Sequence, residues 1–255
     1  MFSTKTLKPF LYSVAAVGLA GAVLAGCSDE EAKAPAKQET ETAAAETPAP
    51  TTEAAKPAAT EPAAVAADMR EPEGSVDADK LLAPGALPDK QLGSDDAPVT
   101  IVEYASATCG HCANFHARTL PAIKEKYIDT GKARLIFREF PFDPLAMGAF
   151  MLARCADDNY FPMVDVLFEQ QGTWARAEKP SAELLKIARL AGFTQERFEA
   201  CLTDDALLKD VTAVKERGEK DFGVNATPTF FINGQKYSGD MSVEVFSAII
   251  DHALQ

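Results

Sequence analysis

Cys109-Gly110-His111-Cys112 constrains the fold of this chain more than any other stretch. An apolar run, Val99-Thr100-Ile101-Val102-Glu103-Tyr104, precedes it, and a helix-like run from Ala113 to Ile128 follows it. Two cysteines separated by two residues at a strand-to-helix junction make a redox dithiol arrangement. The first sulfur then sits where the N–H groups of the new helix turn lack partners and the helix dipole is positive. That location favours thiolate over thiol, and thiolate is the attacking species in disulfide exchange. His111, between the sulfurs, can stabilise the same thiolate as a cation or as a hydrogen-bond donor. The spacing lets Cys112 reach back and close a small disulfide. A second reading stays open: Cys-X-X-Cys is also half of many zinc sites, and Cys109, Cys112 and His116 would supply three ligands. No second Cys-X-X-Cys or His-X3-His pair follows, so the redox reading is preferred and no metal ligand is assigned.

The 255 residues allow one or two domains, but not all of them can build a core. The hydrophobic share of 47% is inflated by alanine in the first third, and the net charge of −13 is unevenly placed. Residues 28–75 hold 11 acids against 4 bases. An acidic chain without a basic stripe argues against nucleic acid as a partner. Residues 1–26 read as a signal peptide, with Lys5 and Lys8 at the start and an apolar middle from Phe10 to Ala25, short for a membrane span. Its last residues and the one that follows, Leu24-Ala25-Gly26-Cys27, resemble the lipobox of bacterial lipoproteins. That resemblance implies lipidation of Cys27 and attachment to a membrane by acyl chains. An uncleaved signal anchor or a coincidental cysteine is the alternative. Ser28 resembles an outer-membrane sorting residue, while Asp29 leaves inner or outer membrane open. Residues 27–90 are expected to be a disordered Ala/Pro/Glu/Thr tether. Between 28 and 75 only Val65 and Met69 are large and apolar, too little to offset the entropy of ordering. Leu81, Leu82 and Leu87 mark a transition toward a folded domain over 91–255.

Within that domain Val99–Tyr104 reads as a buried strand and Ala133–Phe140 as a second, separated by the helix and a Thr130-Gly131-Lys132 turn. Strand, helix, strand of this length predicts a βαβ unit with parallel strands. Residues 143–202 read as a helical block beginning at Asp143-Pro144, and a longer charged helix is predicted over Asp205–Phe222. Thr229–Ile232 and Gln235–Tyr237 flank Asn233-Gly234, the strongest short hairpin signal. Ser242–Leu254 reads as a closing helix. Trp174 and Phe115 read as packing residues, and His116 is given no role of its own.

The dithiol after the first strand, the helical block after the second, and Thr227-Pro228 before a Phe-Phe-Ile strand together resemble the DsbA family of periplasmic thiol:disulfide oxidoreductases. The resemblance covers roughly residues 90–255. It implies an α/β thioredoxin-like fold with an inserted helical domain, and no cofactor. It implies that Cys109 is the attacking thiolate, Cys112 the resolving thiol, and His111 the residue that tunes the thiolate. Thr227 and Pro228 would face the sulfurs, with Pro228 cis, and take part in substrate docking. Glu103, six residues before Cys109, resembles the buried acid that relays protons to the resolving cysteine. Its alternative is a salt-bridged edge residue with Arg138 as partner. Gly110 replaces the proline found between the cysteines of the best-known member, and Thr227 the valine of many oxidases. Both leave the balance between oxidase and isomerase or reductase open.

Relatives of this family also carry a second, non-catalytic disulfide in the helical block, which implies a Cys155–Cys201 pair. Two separate buried thiols remain the alternative. The resemblance further implies exported cysteine-containing substrates and a membrane quinone-linked re-oxidising partner at the periplasmic face. The lipobox-like ending implies a lipid anchor there, and a tether in place of the dimeric isomerases' folded N-terminal domain favours a monomer and an oxidase. A metal or copper chaperone using Cys109, Cys112 and His111 is the reading from a different class.

Overall fold

The computed structural model describes residues 69–255. The expectations for the signal peptide, for Cys27 and for the tether before Met69 lie outside the described residues. The elements run in order as strand β1 (Gly74–Ser75), helix α1 (Ala78–Leu82), β2 (Lys90–Leu92), β3 (Val99–Ala105), α2 (Gly110–Arg118), α3 (Leu120–Ile123) with a π turn over Lys124–Ile128, and β4 (Ala133–Glu139). There follow α4 (Pro144–Arg154), α5 (Tyr160–Glu169), α6 (Gln171–Trp174), α7 (Pro180–Leu190), α8 (Gln195–Leu202), α9 (Asp205–Phe222), β5 (Thr229–Ile232), β6 (Gln235–Ser238) and α10 (Val243–Ala253).

The strands form one six-stranded sheet in the order β1-β6-β5-β3-β4-β2. β3 and β4 are parallel, with Glu103 opposite Phe137 and Tyr104 opposite Arg138. β5 runs antiparallel on the other side of β3. β3 is therefore central and covered on both faces, which is why its sequence is almost continuously apolar. Phe115, Ile123, Tyr127, Phe246 and Ile250 pack with Ile101 and Phe230 on one face. Leu81, Tyr104, Phe140, Phe222 and Phe231 pack on the other. The inserted helices carry their own core around Phe150, Tyr160, Leu167, Trp174 and Phe198, and this core takes in Phe137, Ala105 and Cys112. Arg154 of α4 donates to the fully buried Glu139 of β4, with Nη2 2.8 Å from Oε2, and Tyr160 donates to the same carboxylate at 2.6 Å. The insertion is tied to the sheet by that network.

Several helices start at caps readable in the sequence, whereas α7 starts at Pro180 after Lys179, so Ser181, expected as its N-cap, lies inside its first turn. Asp143 caps α4 with Pro144 at the first helical position, Thr194 caps α8, Asp204 caps α9 and Ser242 caps α10. Asn233 and Gly234 both have positive φ, 46° and 84°, as a two-residue hairpin turn requires.

Two expectations change. The helix predicted from Ala113 to Ile128 is broken at Thr119, because Pro121 brings no N–H to the carbonyl four residues back. The tether was expected to extend to residue 90, yet β1 pairs with β6, β2 pairs with β4, and Leu81 is only 1% exposed. These short edge segments show no periodicity of their own; the exposed sheet edges recruit them. Among the described residues no helix is long and apolar enough to cross a membrane.

Candidate active site

β3 delivers the chain to the end of the sheet, and the turn Ser106-Ala107-Thr108 redirects it into α2. The Cys109 N–H donates to the Ser106 carbonyl at 3.0 Å. Thr108 Oγ1 donates to Asp143 Oδ2 at 2.7 Å, and Gln171 Nε2 donates to the carbonyls of Ala107 and Cys109 at 2.8 and 3.0 Å. Side chains from two helices of the insertion thus fix the turn that presents the first sulfur.

Cys109 is the N-cap of α2, and its sulfur accepts the Cys112 N–H at 3.4 Å. Both cysteines are free thiols in this structure, Cys109 half-buried and Cys112 buried. Their environments push them apart. Cys109 is lowered to about 5, chiefly by the hydrogen bond from the Cys112 side chain, with the backbone N–H groups of Cys112 and His111 adding to it and burial opposing. Cys112 is pushed well above an ordinary thiol, first by burial, then by its hydrogen bond to Cys109 and by the charges of Cys109 and Glu103. One thiolate with a neighbouring thiol donating to it is the arrangement that results.

The Thr227–Pro228 peptide is cis. The Thr227 carbonyl lies 3.2 Å from the Cys109 sulfur and accepts from it when it is a thiol. Thr227 Oγ1 is buried without a hydrogen-bond partner among the described residues. His111 is exposed, and among the described residues its side chain makes no hydrogen bond.

Glu103 is fully buried on β3, on the face covered by α2. Its partner is not Arg138. Register places Arg138 beside Tyr104 on the opposite face, where it donates to Asp89 at 2.9 Å and to the Tyr104 hydroxyl at 3.0 Å. Glu103 instead meets His116, whose Nε2 is 3.1 Å from both carboxylate oxygens. The sequence reading missed this residue. Its signal was position: Cys112 and His116 are four apart on a helix and so share the face turned to the sheet. His116 Nε2 is thereby engaged by the Glu103 carboxylate. Among the described residues no group of three or more His, Cys, Asp or Glu is placed to hold a metal ion. Elsewhere, Cys155 at the end of α4 and Cys201 of α8 are joined by a disulfide, with sulfurs 2.11 Å apart.

A family model described as Thioredoxin matches residues 87–252. The crystal structure of alpha-DsbA1 from Wolbachia pipientis is 36% identical, covers 70% of this chain and 96% of that one, and superposes with a TM-score of 0.64. The chain belongs to the thioredoxin family, in its DsbA branch. The DsbA-family assignment agrees with a protein of Rickettsia bellii named "Putative protein-disulfide oxidoreductase", 37% identical over 169 residues. That match spans 66% of this chain and 65% of the Rickettsia protein, so the chain spans just under two thirds of the length of such relatives. BdbD from Bacillus subtilis shares the fold, with a TM-score of 0.59 at 23% identity.

Proposed function

We propose that this DsbA-family chain is a thiol:disulfide oxidoreductase that donates its Cys109–Cys112 disulfide to exported, cysteine-containing proteins. The observation that carries the reading is the asymmetry of the two sulfurs. A half-buried Cys109 favours thiolate at a helix N-terminus, while the buried Cys112 is held as thiol. A client thiolate attacks the Cys109 sulfur of the disulfide and Cys112 leaves, forming a mixed disulfide. A second client thiolate attacks the client sulfur, and Cys109 leaves as the stabilised thiolate. The client loses two electrons and becomes a disulfide, and the Cys109–Cys112 pair gains them as a dithiol. Stabilising the Cys109 thiolate stabilises the reduced form, which makes the pair an oxidant. A potential between roughly −200 and −110 mV is expected. Incubating oxidised protein with a reduced two-cysteine peptide tests this: one disulfide should transfer per protein, and Cys109→Ser should transfer none. Equilibration with glutathione that yields a potential near about −270 mV would make the protein a reductase instead.

In this reading Thr227 and Pro228 dock the extended client beside Cys109, Glu103 exchanges a proton with Cys112, and His111 adds to thiolate stabilisation. Cys155–Cys201 is structural. The protein acts outside the cytoplasm as a monomer, held to the periplasmic face of a membrane by a lipid on Cys27, and a membrane quinone-linked partner re-oxidises it. The Leu-Ala-Gly-Cys ending supports the anchor. Fractionating cells that carry Cys27→Ser should move the protein to the soluble fraction; an unchanged membrane-bound form would overturn the lipid anchor.

A further inference from the structure

His116 and Glu103 form a pair with side chains 4% and 0% exposed, one helical turn from Cys112. Aromatic rings enclose the imidazole: Phe168 at 4.3 Å between centroids, and Phe115 and Phe137 at 5.7 Å. Its Nδ1 is buried with no hydrogen-bond partner among the described residues. A hydrogen placed there would be a buried donor without an acceptor, which costs more than a bare lone pair. The geometry therefore assigns the ring hydrogen to Nε2, which donates into the fork of the carboxylate. The surrounding charged groups come from several elements. Cys112 lies on α2 itself and feels the charge of Glu103. Asp165 of α5 is near enough for the imidazole to act on it. Glu139 of β4 is neutralised by Arg154 of α4 and bonded by Tyr160 of α5. Arg154 is thus committed elsewhere, which leaves His116 as the donor seen on Glu103.

We propose that His116 is a positioning residue for proton transfer at Cys112, its Nε2–H fixing the Glu103 carboxylate in the orientation from which it takes the Cys112 proton. The inference rests on the exchange chemistry proposed above. In a mixed disulfide between Cys109 and a client, the Cys112 thiol gives its proton to Glu103 and its thiolate attacks the Cys109 sulfur. The Cys109–client bond breaks, and the client leaves as a thiolate that takes a proton from solvent. The client sulfur is reduced and the Cys109–Cys112 disulfide forms. Glu103 returns the proton to the Cys112 sulfur when the disulfide is next passed to a client and Cys112 leaves.

Stopped-flow mixing of the reduced full chain with oxidised glutathione, as a function of pH, tests the proposal. The first phase reports attack by Cys109 and is the internal reference. The second reports resolution by Cys112, and in the native protein it should fall on an acid limb. Glu103→Gln should slow that phase and flatten its limb. His116→Phe should shift the limb upward by about 1 pH unit or more, because a carboxylate in an apolar cage ionises less readily without its donor. His116→Gln, which keeps a side-chain N–H donor, should restore most of the native limb. If His116→Phe does not fold, His116→Leu carries the same reading. A native limb in the apolar variant, or equal slowing by Gln and Phe with no shift, would make His116 a packing residue and overturn the proposal. Absence of any exchange by the native chain would overturn the oxidoreductase reading itself.

Discussion

Cys109 and Cys112 are three residues apart and differ because one caps a helix and the other is inside a core. An acid whose folded value is lowered contributes stability above its unfolded value and loses it as pH falls through the folded value. For Cys109 that contribution is complete above the ordinary thiol range and gone below about 5. Cys112 behaves oppositely: raised by burial, it begins to cost stability only as pH rises past the ordinary thiol value. The disulfide form has neither ionisation. The melting temperature of reduced minus oxidised protein should therefore rise from about pH 5 to about pH 8, as calorimetry can show; a flat difference would contradict the Cys109 assignment. Alkylation of reduced protein should follow the same limb, half-maximal at about pH 5, with Cys112 silent across it. The place of Cys109 at a helix start was legible from the motif and the runs that flank it. The contact of His116 with Glu103 was not, because helical spacing says which residues share a face and not what that face meets.

Elements are held by contacts that carry measurable predictions. The Cys155–Cys201 bond joins the end of α4 to α8 across 46 residues of sequence. Closing a loop of that length stabilises the fold by about 4 kcal/mol in the chain-entropy model. Cys155→Ser with Cys201→Ser should lower the denaturation midpoint accordingly while leaving exchange at Cys109 in place. At the crossing of α9 over the sheet, a Cβ on Gly218 would sit 2.7 Å from the Tyr104 ring. Tyr104 has no room to yield: its hydroxyl is held by Arg138 and its ring meets Phe140 and Phe231 edge-on. Alanine there returns about 1 kcal/mol of helix propensity, but overpacking costs about 1–3 kcal/mol. Gly218→Ala should be destabilising in urea titration; a stabilised variant would mean that α9 lifts away freely.

At the scale of the molecule, the folded unit begins before the dithiol domain suggested by composition. Removing residues 1–68 should leave the melting temperature and solution exchange intact, since residues 28–68 hold little to bury. Removing residues 1–92 should lower both, because it strips an edge strand from each side of the sheet and takes Leu81 from the core. Equal behaviour of the two truncations would show that these edges contribute nothing. The sequence alone determined the βαβ unit, the inserted helices, the Asn233-Gly234 hairpin and the placing of the dithiol at a helix start. These depend on turn chemistry, capping and periodicity, which act within a few residues. Only the tertiary structure decided that Glu103 meets His116 and not Arg138, and that Gly74–Ser75 and Lys90–Leu92 belong to the sheet. Side chains alternate between faces along a strand, so a one-residue difference in pairing register moves a partner to the opposite side. A strand of two or three residues has too little pattern to be seen until a neighbour offers it hydrogen bonds.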